Sequence, residues 1–275
     1  MSESFERASA IEPAGDGASG AYGAYGAYRW IVPDGWQQGR GAFGGLVVGA
    51  MIRAILGAET DATRPLRSIA ADLCGPVVPG EATISVGVLR RGRGTTFLDA
   101  RVTQKGEVVA HASALLAGAR AVEAKSTRLE APPSLPPWRE VDVVTVAPPG
   151  PTFAQHYEHR STLGAPFTPK GESAKCEGWI RERAPLPRLD AAAMAGRIDA
   201  WWPTLFSLDP RPRPVATVAF TMQLLADPST LPADVPLAYR ARMLSHGDGF
   251  FVELRELWAG DRCVAINPQT FAILG

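Results

Sequence analysis

Two stretches of the chain alternate apolar and polar residues with the period of two that a β-strand imposes. From Gly92, the run GRGTTFLDARVTQKGEVVAHASALL puts Leu98, Ala100 and Val102 on one face and Asp99, Arg101 and Thr103 on the other. From Gly247, the run GDGFFVELRELWAGDRCVAINPQTFAI repeats the layout of Gly-x-Gly turn, strand, glycine turn and strand, with Val252 and Leu254 set against Glu253 and Arg255. A further strand precedes each run, at Ala82 to Leu89 and at Leu237 to Leu244. Each half therefore reads as mostly antiparallel sheet, one plan written twice.

Upstream of each set of strands lies one helix candidate. Phe43 to Leu56 is apolar on every side except Arg53, the pattern of a helix buried all round. Its Gly44, Gly45 and Gly49 would let strands approach the helix backbone closely. The second candidate runs from about Leu189 to Leu208 through Met194, Ile198, Trp201, Trp202 and Leu205, with Pro203 bending or ending it. Between the halves, residues 123–152 are crowded by Pro132, Pro133, Pro136, Pro137, Pro148, Pro149 and Pro151, which predicts a linker. Residues 1–28, rich in Gly, Ala and Ser with a GAY repeat from Gly20 to Tyr28, read as a flexible arm. That leaves 29–122 and 153–275 as two units of the same kind. A long helix wrapped by an antiparallel sheet, twice in one chain, is an α+β tandem hotdog.

Composition narrows the function classes. The 275 residues suit two domains, and 46% hydrophobic content is enough for buried cores. Lys plus Arg and Asp plus Glu balance at 28 each, so no global field attracts nucleic acid or an anionic membrane surface. Cys74, Cys176 and Cys263 lack the spacing of a metal or disulfide framework and fit a reducing cytoplasm. MSESFERASA has no basic start followed by an apolar stretch, which argues against export. The apolar run at Phe43 is too short to cross a membrane. His156 and His159 fall on opposite faces of a strand reading, so no metal site is expected there. The G-x-S-x-G, P-loop and H-E-x-x-H patterns are all missing.

From roughly Gly41 to the C-terminus the layout resembles the bacterial acyl-CoA thioesterase II family, double hotdogs that hydrolyse fatty acyl-CoA thioesters without a cofactor. AFGGLVVGA resembles the family's FGG-initiated helix, although Leu46 stands where many members have glutamine. The resemblance implies that a second-helix Asp, a Thr on the next strand and a Gln on the last strand hold the attacking water. Here these are Asp199 in RIDAWWP, Thr217 in VATVAF and Gln269 in VAINPQ. Each has a plainer reading, as a solvated helix aspartate, an ordinary strand threonine and a surface glutamine. Pro268 suggests a strand edge or bulge that would aim the Gln269 amide at a cleft.

Aligning Val109-Ala110 on Val264-Ala265 sets Ala114 opposite Gln269, so one active site per chain is expected. Gly44 and Gly45 could offer backbone N–H groups to a carbonyl oxygen. Trp201, Trp202 and Phe206 could line an acyl tunnel, and Arg91 and Arg93 could reach the phosphates of coenzyme A. The partners implied are an acyl-CoA and a second copy of the chain in a homodimer or larger assembly. Two other readings stay open: a non-catalytic acyl-CoA-binding module, and a hotdog enoyl-CoA hydratase, whose family pairs an Asp with a His five residues later. No histidine of this chain has an aspartate at that distance.

Overall fold

The computed structural model describes residues 3–14, 26–120, 130–146, 150–167, 174–209 and 211–274. The first half runs through α1 (Phe5–Ala8), β1 (Ile11–Pro13), β2 (Gly26–Val32), a small hairpin of β3 (Gln37–Gln38) and β4 (Gly41–Ala42), and α2 (Gly44–Ala58). It ends with β5 (Leu66–Asp72), β6 (Gly80–Arg91), β7 (Thr95–Gln104) and β8 (Glu107–Ala117). The second half runs through β9 (Tyr157–Leu163), β10 (Lys175–Glu182), α3 (Ala191–Asp199), α4 (Leu205–Leu208), β11 (Val215–Leu224), β12 (Leu237–Gly247), β13 (Phe250–Ala259) and β14 (Arg262–Ile273).

The two halves join into one twelve-stranded antiparallel sheet, ordered β1-β2-β6-β7-β8-β5-β11-β14-β13-β12-β10-β9. Its seam is the ladder between β5 and β11, from Asp72 opposite Ala219 to Ser68 opposite Gln223. Reading outward from that seam, the two halves repeat each other strand for strand. Even an irregularity is copied: β5 shifts register between Leu66 and Ser68, and β11 between Thr217 and Ala219. The tandem hotdog expected from the alternation is present.

α2 is buried from Gly44 to Ile55 except at Arg53, as its composition predicts. Its glycines, however, admit a helix rather than strands. A Cβ on Gly45 would lie 2.8 Å from the Ala195 carbonyl oxygen and 2.8 Å from the Asp199 Cβ, and one on Gly49 would lie 3.3 Å from the Ala192 carbonyl oxygen. The two central helices therefore cross backbone to backbone and run antiparallel. α3 is also shorter than expected. It starts on Asp190, whose carboxylate accepts from the Ala193 N–H at 2.8 Å, and it stops at Asp199. Pro203 disfavours helical geometry in the residue before it, so Trp201 and Trp202 sit beyond the helix. The Trp201 indole packs onto Gly178 of β10, where a Cβ would meet its ring.

The alternation in β7 holds, with Leu98, Ala100 and Val102 fully buried. In β13 it is inverted: Glu253 and Arg255 face the interior, while Val252 and Leu254 are half-exposed. The N-terminal segment also departs from expectation. Residues 3–14 are not a loose arm: β1 pairs with β2, the Trp30 indole N–H donates to the Ala8 carbonyl at 3.0 Å, and the Phe5 ring is buried over Gly49 and Gly196. Most of the GAY repeat lies outside the described residues, and its last three residues open β2. Within the proline-rich segment, Trp138 lies under the guanidiniums of Arg160 at 4.4 Å and Arg181 at 5.0 Å, strapping the segment onto the second half.

Phe5 fills the space where α2 and α3 meet, so its removal should be felt well beyond the terminus. Phe5→Ala is expected to cost about 3 kcal/mol, read as a lower urea midpoint with an unchanged slope. A wild-type midpoint would mean that the segment does not pack as described.

Candidate active site

At the end of α3 the Asp199 side chain points at the start of α2. Its Oδ2 accepts from the Gly45 N–H at 2.6 Å, a contact between residues 154 apart in sequence. The first turn of a helix has N–H groups with no intrahelical acceptor and a positive dipole end, so a carboxylate is held there both by hydrogen bonding and by charge. Gly45 allows the approach because any side chain would collide with α3. Asp199 Oδ1 accepts from the Gln269 amide Nε2 at 2.7 Å, and the Thr217 hydroxyl donates to Gln269 Oε1 at 3.3 Å. The three residues that the sequence reading singled out, from α3, β11 and β14, thus meet in one chain of contacts. Gly45, expected to bind a carbonyl oxygen, spends its N–H on Asp199 instead.

Gln269 is not on an edge. β14 lies between β11 and β13, and the ladder with β11 is broken where Pro268 and Asn267 face Thr221 and Met222. Proline has no N–H to give. The Asn267 side chain closes the gap, donating to the Thr221 carbonyl at 2.6 Å while its Oδ1 accepts from Gln269 Nε2 at 2.6 Å. The Gln269 amide is thereby fixed between two acceptors with its oxygen toward Thr217.

Sequence reasoning missed a second layer. The Arg255 guanidinium donates to the Asp199 backbone carbonyl at 3.0 Å and to Asp199 Oδ1 at 3.4 Å. Its Nε donates to Glu253 Oε2 at 3.1 Å, and Glu253 Oε1 accepts from both the N–H and the hydroxyl of Thr204. The aligned repeat carried a signal for them, because the ladders put Leu98 where Glu253 stands and Ala100 where Arg255 stands. The same registers set Leu66, Ala112 and Ala114 at the places of Thr217, Asn267 and Gln269. One half of the sheet presents aliphatic groups to its helix where the other presents a polar network.

Around this network lies an aromatic wall. Trp201 stacks on Tyr239 at 4.5 Å and touches Trp202 at 4.6 Å, and His159 meets both indoles. Phe206 packs on Phe167 at 4.9 Å. The His159 Nε2 lies 2.9 Å from the Ala200 carbonyl, and burial pushes its pKa down to about 4, so the ring stays neutral near pH 7. Burial pushes the Tyr157 and Tyr239 phenols well above their usual range and the Cys176 thiol up to about 12. Arg91 and Arg93 belong elsewhere. Arg91 ends β6 and Arg93 lies in the turn after it, and Arg91 pairs with Glu59 at the C-terminal end of α2, opposite the end that Asp199 occupies. Among the described residues no group of His, Cys, Asp and Glu side chains could hold a metal ion, and no helix is long and apolar enough to cross a membrane.

Residues 32–117 match the model of an acyl-CoA thioesterase N-terminal domain, and residues 127–273 match that of an acyl-CoA thioesterase C-terminal domain. No curated protein matches the chain. Among solved structures, a hot dog fold protein of unknown function from Alicyclobacillus acidocaldarius is 25% identical with a TM-score of 0.87, covering 100% of this chain and 99% of that one. The acyl-CoA thioesterase II TesB2 of Mycobacterium marinum is 18% identical with a TM-score of 0.71, covering 98% of each chain. A tesB protein of Mycobacterium avium subspecies paratuberculosis is 12% identical with a TM-score of 0.75 over 98% of each chain.

If the close helix contact holds Asp199, a single methyl group should disturb it. Gly45→Ala should lower stability by about 1–3 kcal/mol in chemical denaturation, through overpacking against α3. Gly94→Ala, with open space around its Cα, should leave the midpoint within about 0.5 kcal/mol. Equal effects of the two would contradict the geometry.

Proposed function

The chain belongs to the acyl-CoA thioesterase family, and from that premise we propose that it hydrolyses an acyl-CoA to the free acid and coenzyme A with water activated by Asp199, Thr217 and Gln269. The observation that carries this reading is the contact chain from Thr217 through Gln269 to Asp199, whose strand members have only Leu66 and Ala114 as counterparts in the other half. A carboxylate has about four lone-pair sites. Gln269 and Arg255 take those of Oδ1, and Gly45 takes one of Oδ2, which leaves one acceptor position for water.

In this mechanism the water oxygen attacks the thioester carbonyl carbon as Asp199 accepts a proton. The tetrahedral intermediate then expels the coenzyme A sulfur, which takes that proton. Thr217 orients the water, and Gln269 holds the Asp199 carboxylate in place. Gly44 is the first residue of α2, so its N–H has no intrahelical acceptor and is the donor for the developing oxyanion. Trp202 and Phe206, both partly exposed beside the aromatic wall, border the acyl group. Such a reaction draws on no cofactor, and an acyl-CoA substrate supports a cytoplasmic location for the enzyme.

Asp199→Asn keeps the side chain's size and removes its charge. With a panel of acyl-CoAs of different chain length and branching, kcat should fall by about 100-fold or more, while the variant remains folded by circular dichroism. Undiminished turnover would refute the assignment. The rival reading, a binding module without chemistry, predicts that no thioester in the panel releases free thiol although a nonhydrolysable acyl-CoA analogue binds in titration calorimetry.

A further inference from the structure

Two buried charges beside Asp199 remain without a role in the mechanism as written. Glu253 and Arg255 lie on the inner face of β13, both at 1% exposure or less. Burying an ion is costly unless it is paired and hydrogen-bonded. The equivalent positions in the first half are Leu98 and Ala100, which pack the same kind of sheet against the same kind of helix at no such cost. Folding alone therefore does not require the pair.

We propose that Arg255 and Glu253 are positioning residues for the thioesterase reaction. Arg255 sets the orientation of the Asp199 carboxylate, and Glu253 restrains Arg255 while anchoring the Thr204 segment beside the acyl site. This inference rests on the assignment of Asp199 as the water-activating group. Arg255 grips Asp199 twice, at the backbone carbonyl and at Oδ1, so it fixes both the helix end and the side chain. The Phe271 ring lies 5.1 Å from the guanidinium and closes its remaining face. Glu253 bonds Arg255 through one oxygen and Thr204 through the other. Thr204 directly precedes α4, which carries Phe206, and follows Trp202 by two residues. One carboxylate thus ties β13 to the segment that borders the substrate.

Tyr157 of β9, Cys176 of β10 and Tyr239 of β12, which lie beside this network, are held protonated by burial. Next along α3, Arg197 is paired with Glu182. Removing Arg255 takes away both of its grips on Asp199 at once. Removing the charge of Glu253 loosens Arg255 and the Thr204 segment together.

The test measures kcat and KM by loss of thioester absorbance for wild type, Arg255→Met, Arg255→Lys, Glu253→Gln and Asp199→Asn. In Arg255→Met kcat should fall by about 10- to 100-fold with KM changed by about twofold or less. Arg255→Lys, which restores a charge without the fork, should recover part of that kcat. Glu253→Gln, which loosens Arg255 and Thr204 together, should lower kcat and also raise KM. Thermal melts identify any variant that fails to fold, and the Lys and Gln substitutions keep the test open if the Met variant does not. Wild-type kcat in the folded Arg255 and Glu253 variants, or a Lys variant no better than a folded Met variant, would overturn the proposal. Turnover retained by Asp199→Asn would instead overturn the underlying assignment, whatever the β13 variants do.

Discussion

The structure depends on the close crossing of α2 and α3. Both helices are wrapped by the sheet, and at the crossing they touch through glycines and alanines rather than through large side chains. A crossing of ordinary width would leave the Asp199 carboxylate several ångströms from the Gly45 N–H instead of hydrogen-bonded to it. Because the helices run antiparallel, the end of one meets the beginning of the other. A carboxylate from the second half is therefore held by a helix dipole from the first. The first half contributes a helix start to a polar network for which its own sheet has no side chains.

How much of this could be read from the amino acids differed from element to element. The alternation at Leu98, Ala100 and Val102 gave both the strand and its inner face, because burying the polar set would have been costly. The alternation at Val252 and Leu254 gave the strand but pointed to the wrong face, since a period of two says which residues share a side and not which side is inside. Glu253 and Arg255 turn inward because Asp199 and Thr204 are there to receive them, a fact carried by α3 and its following loop. Asp199, Thr217 and Gln269 were singled out through a family resemblance, and the comparison of the repeats bore on Gln269 alone, with Ala114 as its counterpart. Their mutual contact depends on Pro268 opening a ladder and Asn267 bridging it, which no local pattern reports.

Other features fell outside any periodic signal. Gly44, Gly45 and Gly49 announce that something approaches a helix, but a missing Cβ does not name the visitor. Phe5 is one aromatic residue in a polar stretch and gains meaning only from the glycines it covers, one on each central helix. The described part of the proline-rich segment is anchored through Trp138 by two guanidiniums whose strands lie further along the chain. In each case the deciding partner is distant in sequence.

The opposite end of the helix pair carries a different kind of contact. There the N-cap carboxylate of α3, Asp190, meets the Arg53 guanidinium of α2 at 3.1 Å. Two copies of the second half brought together in the same arrangement would set Asp199 against Asp190, carboxylate against carboxylate. Two copies of the first half would set Arg53 against a bare helix start, cation against positive dipole. At both ends of the crossing, each half therefore carries the complement of the other half and not of itself.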